Sequence, residues 1–132
     1  MGERTIIVDC DALRADGGTR TASITAAYVA VYDAMTWMQE QGMITKNLIT
    51  EPIAAVSLGV VQGETLLDLC YEEDARAQTD MNVVMTASGE FVEIQGTAES
   101  KPFTAEQLGK MLSLAKKGVF ELVELQRQTL GA

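Results

Sequence analysis

Residues 54–71 read AAVSLGVVQGETLLDLCY: an apolar run from Ala54 to Val61, a turn at Gln62-Gly63, and a second run from Thr65 to Tyr71. Small and β-branched residues on both sides of a two-residue turn containing glycine predict a β-hairpin, because glycine accepts the positive φ that such turns demand. A second unit of the same design follows, with Met81 to Thr86, a turn at Ser88-Gly89, and Phe91 to Gln95. Two hairpins in succession predict an antiparallel sheet at the centre of the chain.

Outward from the hairpins the hydrophobic period changes from two to between three and four. On the C-terminal side Leu108, Met111, Leu112, Ala115, Val119, Leu122 and Val123 form a helical stripe. Thr104 stands just before it and Gln107 three residues later, the spacing of a capping box. On the N-terminal side a helical pattern opens at about Thr21. Ile24, Tyr28, Val31, Met35 and Met38 share one face, alanines at 26, 27, 30 and 34 permit close packing, and Gly42 is a suitable stop. Residues 4–10 are short and β-branched and predict a strand, and Asp16-Gly17-Gly18 predicts a loop. The expected architecture is a single α+β domain over residues 1–132 in the order β-α-β-β-β-β-α, antiparallel hairpins packed with helices on one face.

Composition narrows the function. The chain has 47% hydrophobic residues, enough for a core. The net charge of −9 argues against a free-standing nucleic-acid binder, since phosphate-backbone affinity comes from Lys and Arg. Aromatic residues make up only 5%, too few for a base-stacking platform. Cys10 and Cys70 make no disulfide framework or metal motif and read as buried, strand-borne thiols. Gly2-Glu3-Arg4-Thr5 is polar where a signal peptide would turn apolar, and no stretch approaches a membrane span. The expectation is a cytoplasmic protein without a membrane partner.

Two segments can carry chemistry. In Asp16-Gly17-Gly18-Thr19-Arg20-Thr21 two glycines precede a helix start, where unpaired N–H groups and the positive end of the helix dipole suit a phosphate. Arg20 can add a charge-assisted contact, and Thr19, Thr21 and Ser23 offer hydroxyls. The same residues also read as an ordinary loop and cap with a solvated arginine. The second segment holds five carboxylates within 13 residues, Asp68, Glu72, Glu73, Asp74 and Asp80. Such a cluster can hold Mg²⁺ or supply a proton donor, and it also reads as a solvated acidic loop. Asp80 is distinguished by the apolar strand that follows it. An anion site beside a cation or proton site suits phosphoryl chemistry. The absence of histidine excludes every His-based triad.

Longer stretches resemble the ribonuclease PH family. They are Gly2 to Ile6, Val8 to Leu13, Ala15 to Thr25, Ala54 to Gly59, Asp68-Leu69 with Tyr71 to Asp74, Thr79 to Thr86, Glu93 to Glu99, and Pro102-Phe103-Thr104. The words agree in order over essentially the whole chain and correspond to the C-terminal half of the family pattern. The resemblance implies a ribonuclease PH-like fold and a phosphate-dependent 3′-to-5′ exoribonuclease of tRNA 3′-end processing, a phosphorolytic nucleotidyltransferase releasing nucleoside diphosphates, or the catalytic half of one. Inorganic phosphate would be the co-substrate, held at Gly18, Thr19 and Arg20 with Thr21 and Ser23 close by. Asp74 and Asp80 would serve as ligands of Mg²⁺ or another divalent cation, or as general acid. The implied partners are an RNA 3′ end, further copies of the chain in a homo-oligomer, or a complementary N-terminal half that supplies another arginine and a basic surface; DNA is not among them. The alternative is a truncated, non-catalytic remnant or assembly subunit that keeps the phosphate loop.

Overall fold

Strand β1 (Ile53–Val61) is the spine of the molecule. Seven consecutive residues, 54 to 60, are buried, as befits a strand covered on both sides. In the computed structural model, which describes residues 3–131, β1 pairs with β2 (Glu64–Leu67) on one side and with β3 (Thr79–Thr86) on the other. β4 (Phe91–Ala98) completes an antiparallel sheet of order β2-β1-β3-β4. Met1, Gly2 and Ala132 lie outside the described residues, and with them the Gly2 that heads the polar run.

Register sorts the side chains between two faces. Val56 stands opposite Val83 and Leu58 opposite Met81, and with Ala54, Val60 and Met85 they form one apolar face. Helix α3 (Ala105–Leu130) covers it with Met111, Ala115, Val119 and Val123, the stripe expected from the sequence. Thr104 Oγ1 accepts the Gln107 N–H and Gln107 Oε1 accepts the Thr104 N–H, so the expected capping box is formed. At Gly118 the helix comes so close that a Cβ would lie 3.0 Å from Leu67 and 3.1 Å from Val56.

Helix α1 (Thr19–Glu40) buries Thr21, Tyr28 and Met35 and is followed by the C-cap Gln41 and by Gly42, whose φ is 67°. It runs along the edge of β1 that β2 leaves uncovered, and its first turn reaches over the face opposite α3. Thr25 Oγ1 accepts the Ala55 N–H at 3.0 Å and lies 3.3 Å from the Ala55 carbonyl, to which it donates. Gln126 of α3 donates to the carbonyls of Ile53 and Thr25, and the Asp68 N–H donates to Ser57. Side chains and one loop amide thus satisfy the strand edge that a neighbouring strand would otherwise serve.

Four expectations need correction. Residues 4–10 form no strand: they run as an exposed segment with no ladder partner among the described residues. A strand exists only by hydrogen bonding to a neighbour, and this segment pairs with none of the four strands. Ile7 is 87% exposed and Leu13 95%, so β-propensity there is unmatched by burial. Second, the order is α-β-β-α-β-β-α. The second run breaks at Leu67, Asp68 takes φ 59°, and Tyr71–Asp74 forms the short helix α2, because Leu69 turns inward to pack over Gly59. Third, both cysteines are exposed and off the strands. Fourth, the helices do not share one face. α1 also begins two residues earlier than expected, at Thr19.

Leu58 is fully buried, so Leu58→Ala is expected to cost about 2–5 kcal/mol of unfolding free energy. Leu13→Ala, at an exposed site, is expected to stay within about 0.5 kcal/mol of the parent. Urea denaturation of both variants checks the assignment of core and surface.

Candidate phosphate site at the start of helix α1

Gly18 is the N-cap of α1, with φ 67° and ψ 32°, and no side chain caps the helix. The first intrahelical bond runs from the Ala22 N–H to the Gly18 carbonyl. The N–H groups of Thr19, Arg20 and Thr21 therefore stand at the positive end of a 22-residue helix without a capping acceptor. No acidic residue occupies the first turn. The Thr21 hydroxyl donates to the Gly18 carbonyl at 2.8 Å, so its proton shapes the loop. Thr19 and Arg20 are exposed, and Ser23 is half-buried one turn along.

Arg20 reaches across to β4. Its Nη2 lies 2.8 Å and 3.1 Å from the two carboxylate oxygens of Glu93. Such an exposed pair is worth about 0–1 kcal/mol, so its effect is mainly to orient the guanidinium. Glu93 was not marked by the sequence reading as a site residue. It is a site neighbour because β4 pairs with β3 in a register that sets Glu93 opposite Val84, on the α1 side of the sheet.

The two chemistry-bearing segments are joined directly. Asp16 Oδ1 accepts the Tyr71 N–H at 2.7 Å, so the carboxylate before the glycine pair caps α2 rather than α1. Gly17 lies against the backbone of Leu69 and Cys70, and any Cβ there would collide with the Leu69 carbonyl. Glu73 accepts the Cys70 N–H at 3.0 Å and closes the turn that presents Asp74. Proximity of the two segments thus depends on one glycine and one aspartate.

Register continues the site over the sheet. Gly59, Asp80 and Thr97 lie side by side on β1, β3 and β4, on the face away from α3. Burial pushes the Asp80 carboxyl above the ordinary carboxylate range, and the charges of Asp74 and Glu99 push it the same way. The Met81 backbone N–H acts in the opposite direction. Asp80 is therefore partly buried beside like charge, while Asp74 is exposed on α2. No group of three or more potential metal ligands occurs among the described residues. Of the five acidic residues in the second segment, Asp68 lies on the edge of β1, Glu73 supports the α2 turn, and Glu72 is exposed.

A uniform antiparallel sheet with one helix over a face and another along its edge defines an α+β class. Within that class, the model of the "3' exoribonuclease family, domain 2" matches residues 51–118, just over half of the chain, and the chain belongs to that family. The "Ribonuclease PH" of Corynebacterium kroppenstedtii is 56% identical over 130 residues, covering 98% of this chain and 51% of that protein. The "Ribonuclease PH" of Corynebacterium efficiens is 58% identical over 131 residues, covering 99% of this chain and 54% of that protein. The chain thus spans about half the length of these curated relatives. In fold it is similar to rice (Oryza sativa) Rrp46, with a TM-score of 0.67 at 17% identity over 89% of this chain and 50% of that one. The family match begins at residue 51, so α1 and the segment before it precede the matched domain.

Gly17→Ala must displace a backbone carbonyl and is expected to cost about 1–3 kcal/mol, measurable by thermal unfolding. Asp80 gives a pH signature. Its folded pKa is raised above the ordinary 3.8, so between those values the native state holds the proton more tightly than the unfolded chain. Its contribution to stability therefore falls as pH rises through that window, and ionised Asp80 is a cost at neutral pH. Asp80→Asn should melt above the parent at neutral pH, with the advantage shrinking below about pH 4.

Proposed function

We propose that this chain carries the phosphate-binding and proton-donating part of a phosphate-dependent 3′-to-5′ exoribonuclease. The observation that supports this best is the uncapped start of α1, with Arg20 beside it, facing the same side of the sheet as Asp80. In this reading the first-turn amides and Arg20 hold inorganic phosphate, with Gly18, Thr19 and Ser23 around it. Gly18 gives the ligand close access to the backbone, and Thr21 keeps the loop in shape.

A phosphate oxygen attacks the phosphorus of the 3′-terminal phosphodiester. The bond between that phosphorus and the O3′ of the preceding nucleotide breaks. The terminal nucleotide leaves as a nucleoside 5′-diphosphate, and the shortened RNA takes a proton on its new 3′-hydroxyl. Asp80, with a carboxyl biased toward its protonated form, suits the donor. With Asp80 ionised instead, Asp74 and Asp80 would together hold a divalent cation. Two oxygen ligands fit Mg²⁺, which keeps several waters and takes only one or two carboxylates. Bound there, it would offset negative charge on the reacting phosphates.

RNA with a tRNA-like 3′ end is the proposed substrate. Its grip requires positive surface that a chain of net charge −9 does not supply in excess, which favours a complementary N-terminal half as partner. A non-catalytic role in an assembly is the second reading. It is favoured by the exposed Ile6, Ile7, Val8, Leu13 and Trp37, apolar surface suited to a partner chain.

The deciding measurement is release of nucleoside diphosphate from a short RNA, with Mg²⁺ present and phosphate varied. Phosphate-dependent release is expected, falling at least about 100-fold in Asp80→Asn, the usual lower range for loss of a general acid. Arg20→Ala should raise the phosphate concentration needed by about 10-fold or more, the loss of one charge-assisted contact. Folded chain that releases nothing at any phosphate concentration would favour the assembly role.

A further inference from the structure

Between the phosphate loop and Asp80 the face of the sheet is lined by one row of neutral hydrogen-bonding side chains. Ser57 on β1 stands opposite Asn82 on β3, and Asn82 opposite Gln95 on β4. The neighbouring row toward Arg20 is Ala55, Val84 and Glu93, and the neighbouring row on the other side is Gly59, Asp80 and Thr97. Successive rows on one face are about 7 Å apart. The polar row is therefore one step from the arginine's anchor and one step from the carboxyl.

Two features set this row apart from ordinary sheet surface. Ser57 is only 7% exposed, yet its Oγ has no hydrogen-bond partner among the described residues. That hydroxyl lies directly beneath the phosphate loop, 3.0 Å from where a Cβ on Gly18 would stand. A buried hydroxyl left unpaired costs stability, so its retention calls for a ligand. Asn82 is half-buried beside it, and neither its amide nor that of Gln95 has a protein partner among the described residues. An amide offers both donor and acceptor, which suits a ribose hydroxyl next to a phosphoryl oxygen.

We propose that Ser57 and Asn82, with Gln95 beyond them, bind the phosphoryl-ribose end of the substrate between Arg20 and Asp80. This deepens the phosphorolytic reading and rests on it. The anion held by the loop would accept from Ser57, and Asn82 would bridge from that phosphoryl group to the sugar. Asn82 and Gln95 thereby distinguish a nucleotide from inorganic phosphate, which reaches no further than the loop and Ser57.

The test is an amide-detected NMR titration of this chain with inorganic phosphate and, separately, adenosine diphosphate. The parent is expected to bind both, with Arg20→Ala weakening both. Asn82→Ala should weaken adenosine diphosphate about 5-fold or more, one lost hydrogen bond, and leave inorganic phosphate within about 2-fold. Asn82→Asp, of equal shape but opposed charge, should weaken the diphosphate further while the spectrum stays folded. Ser57→Ala should lose diphosphate affinity yet melt no lower than the parent, which a purely structural serine would not do. Unchanged diphosphate affinity in both Asn82 variants and Ser57→Ala would overturn the row's role and leave the phosphate loop standing. A parent that binds phosphate without binding the diphosphate would do the same. A parent that binds neither ligand would overturn the loop reading along with it.

Discussion

The outer edge of β1 is the constraint on which the rest of the molecule depends. Over Leu58 to Val61 that edge pairs with β2, but from Ile53 to Ser57 no strand among the described residues lies beside it. Backbone groups buried there without partners would each cost about 1–3 kcal/mol. Thr25, Gln126 and the Asp68 amide answer them instead. Thr25 ties α1 to the sheet, and Gln126 ties α3 to both. Asp68 must enter the left-handed region for its amide to meet Ser57, which ends β2 and directs the chain toward α2. One unsatisfied edge thus fixes the placement of two helices and a loop.

The candidate site inherits its geometry from that arrangement. Because α1 is anchored at Thr25, its uncapped first turn lies over the face that α3 leaves open. Because the chain leaves β2 at Asp68, the Leu69-Cys70 backbone passes under Gly17, and the Tyr71 amide meets Asp16. The two faces of β1 have opposite duties. Residues 54, 56, 58 and 60 fill the core, while Ser57 and Gly59 face the site. The open face retains an orphaned hydroxyl at Ser57 and a carboxyl at Asp80 disfavoured in its charged form, and Thr79 Oγ1 and Gln126 Oε1 are orphaned elsewhere among the described residues. The opposite face carries a close-packed apolar core with a helix sealed by a full capping box.

Much of this was legible in the order of residues. The two hairpins followed from turn chemistry and strand composition, and their turns at Gln62-Gly63 and Ser88-Gly89 stand where expected. The α3 stripe and its Thr104 cap followed from helical period and capping preference. The glycine turn into α1 was recognisable because a glycine pair before a helix is a local pattern. Residues 4–10 mark the limit of such reasoning. Ile6-Ile7-Val8 has the composition of a strand, but composition supplies no neighbour to pair with. Cys10 and Cys70 are exposed for a related reason: the strand expected at residues 4–10 does not form, and β2 ends at Leu67, before Cys70.

What the sequence by itself determined is therefore local: strand pairs joined by short turns, helix faces, caps, and the residue types available for phosphate and proton chemistry. These depend on neighbours within a few positions, where turn sterics and side-chain period act directly. What only the tertiary structure decided is which distant residues share a face. Arg20 meets Glu93 across 73 positions, Asp16 meets Tyr71 across 55, and Ser57 lies under Gly18 beside Asn82. These meetings are set by strand register and by the need to satisfy the β1 edge. Register is a property of the whole sheet, because a slip of one residue would carry every side chain to the other face.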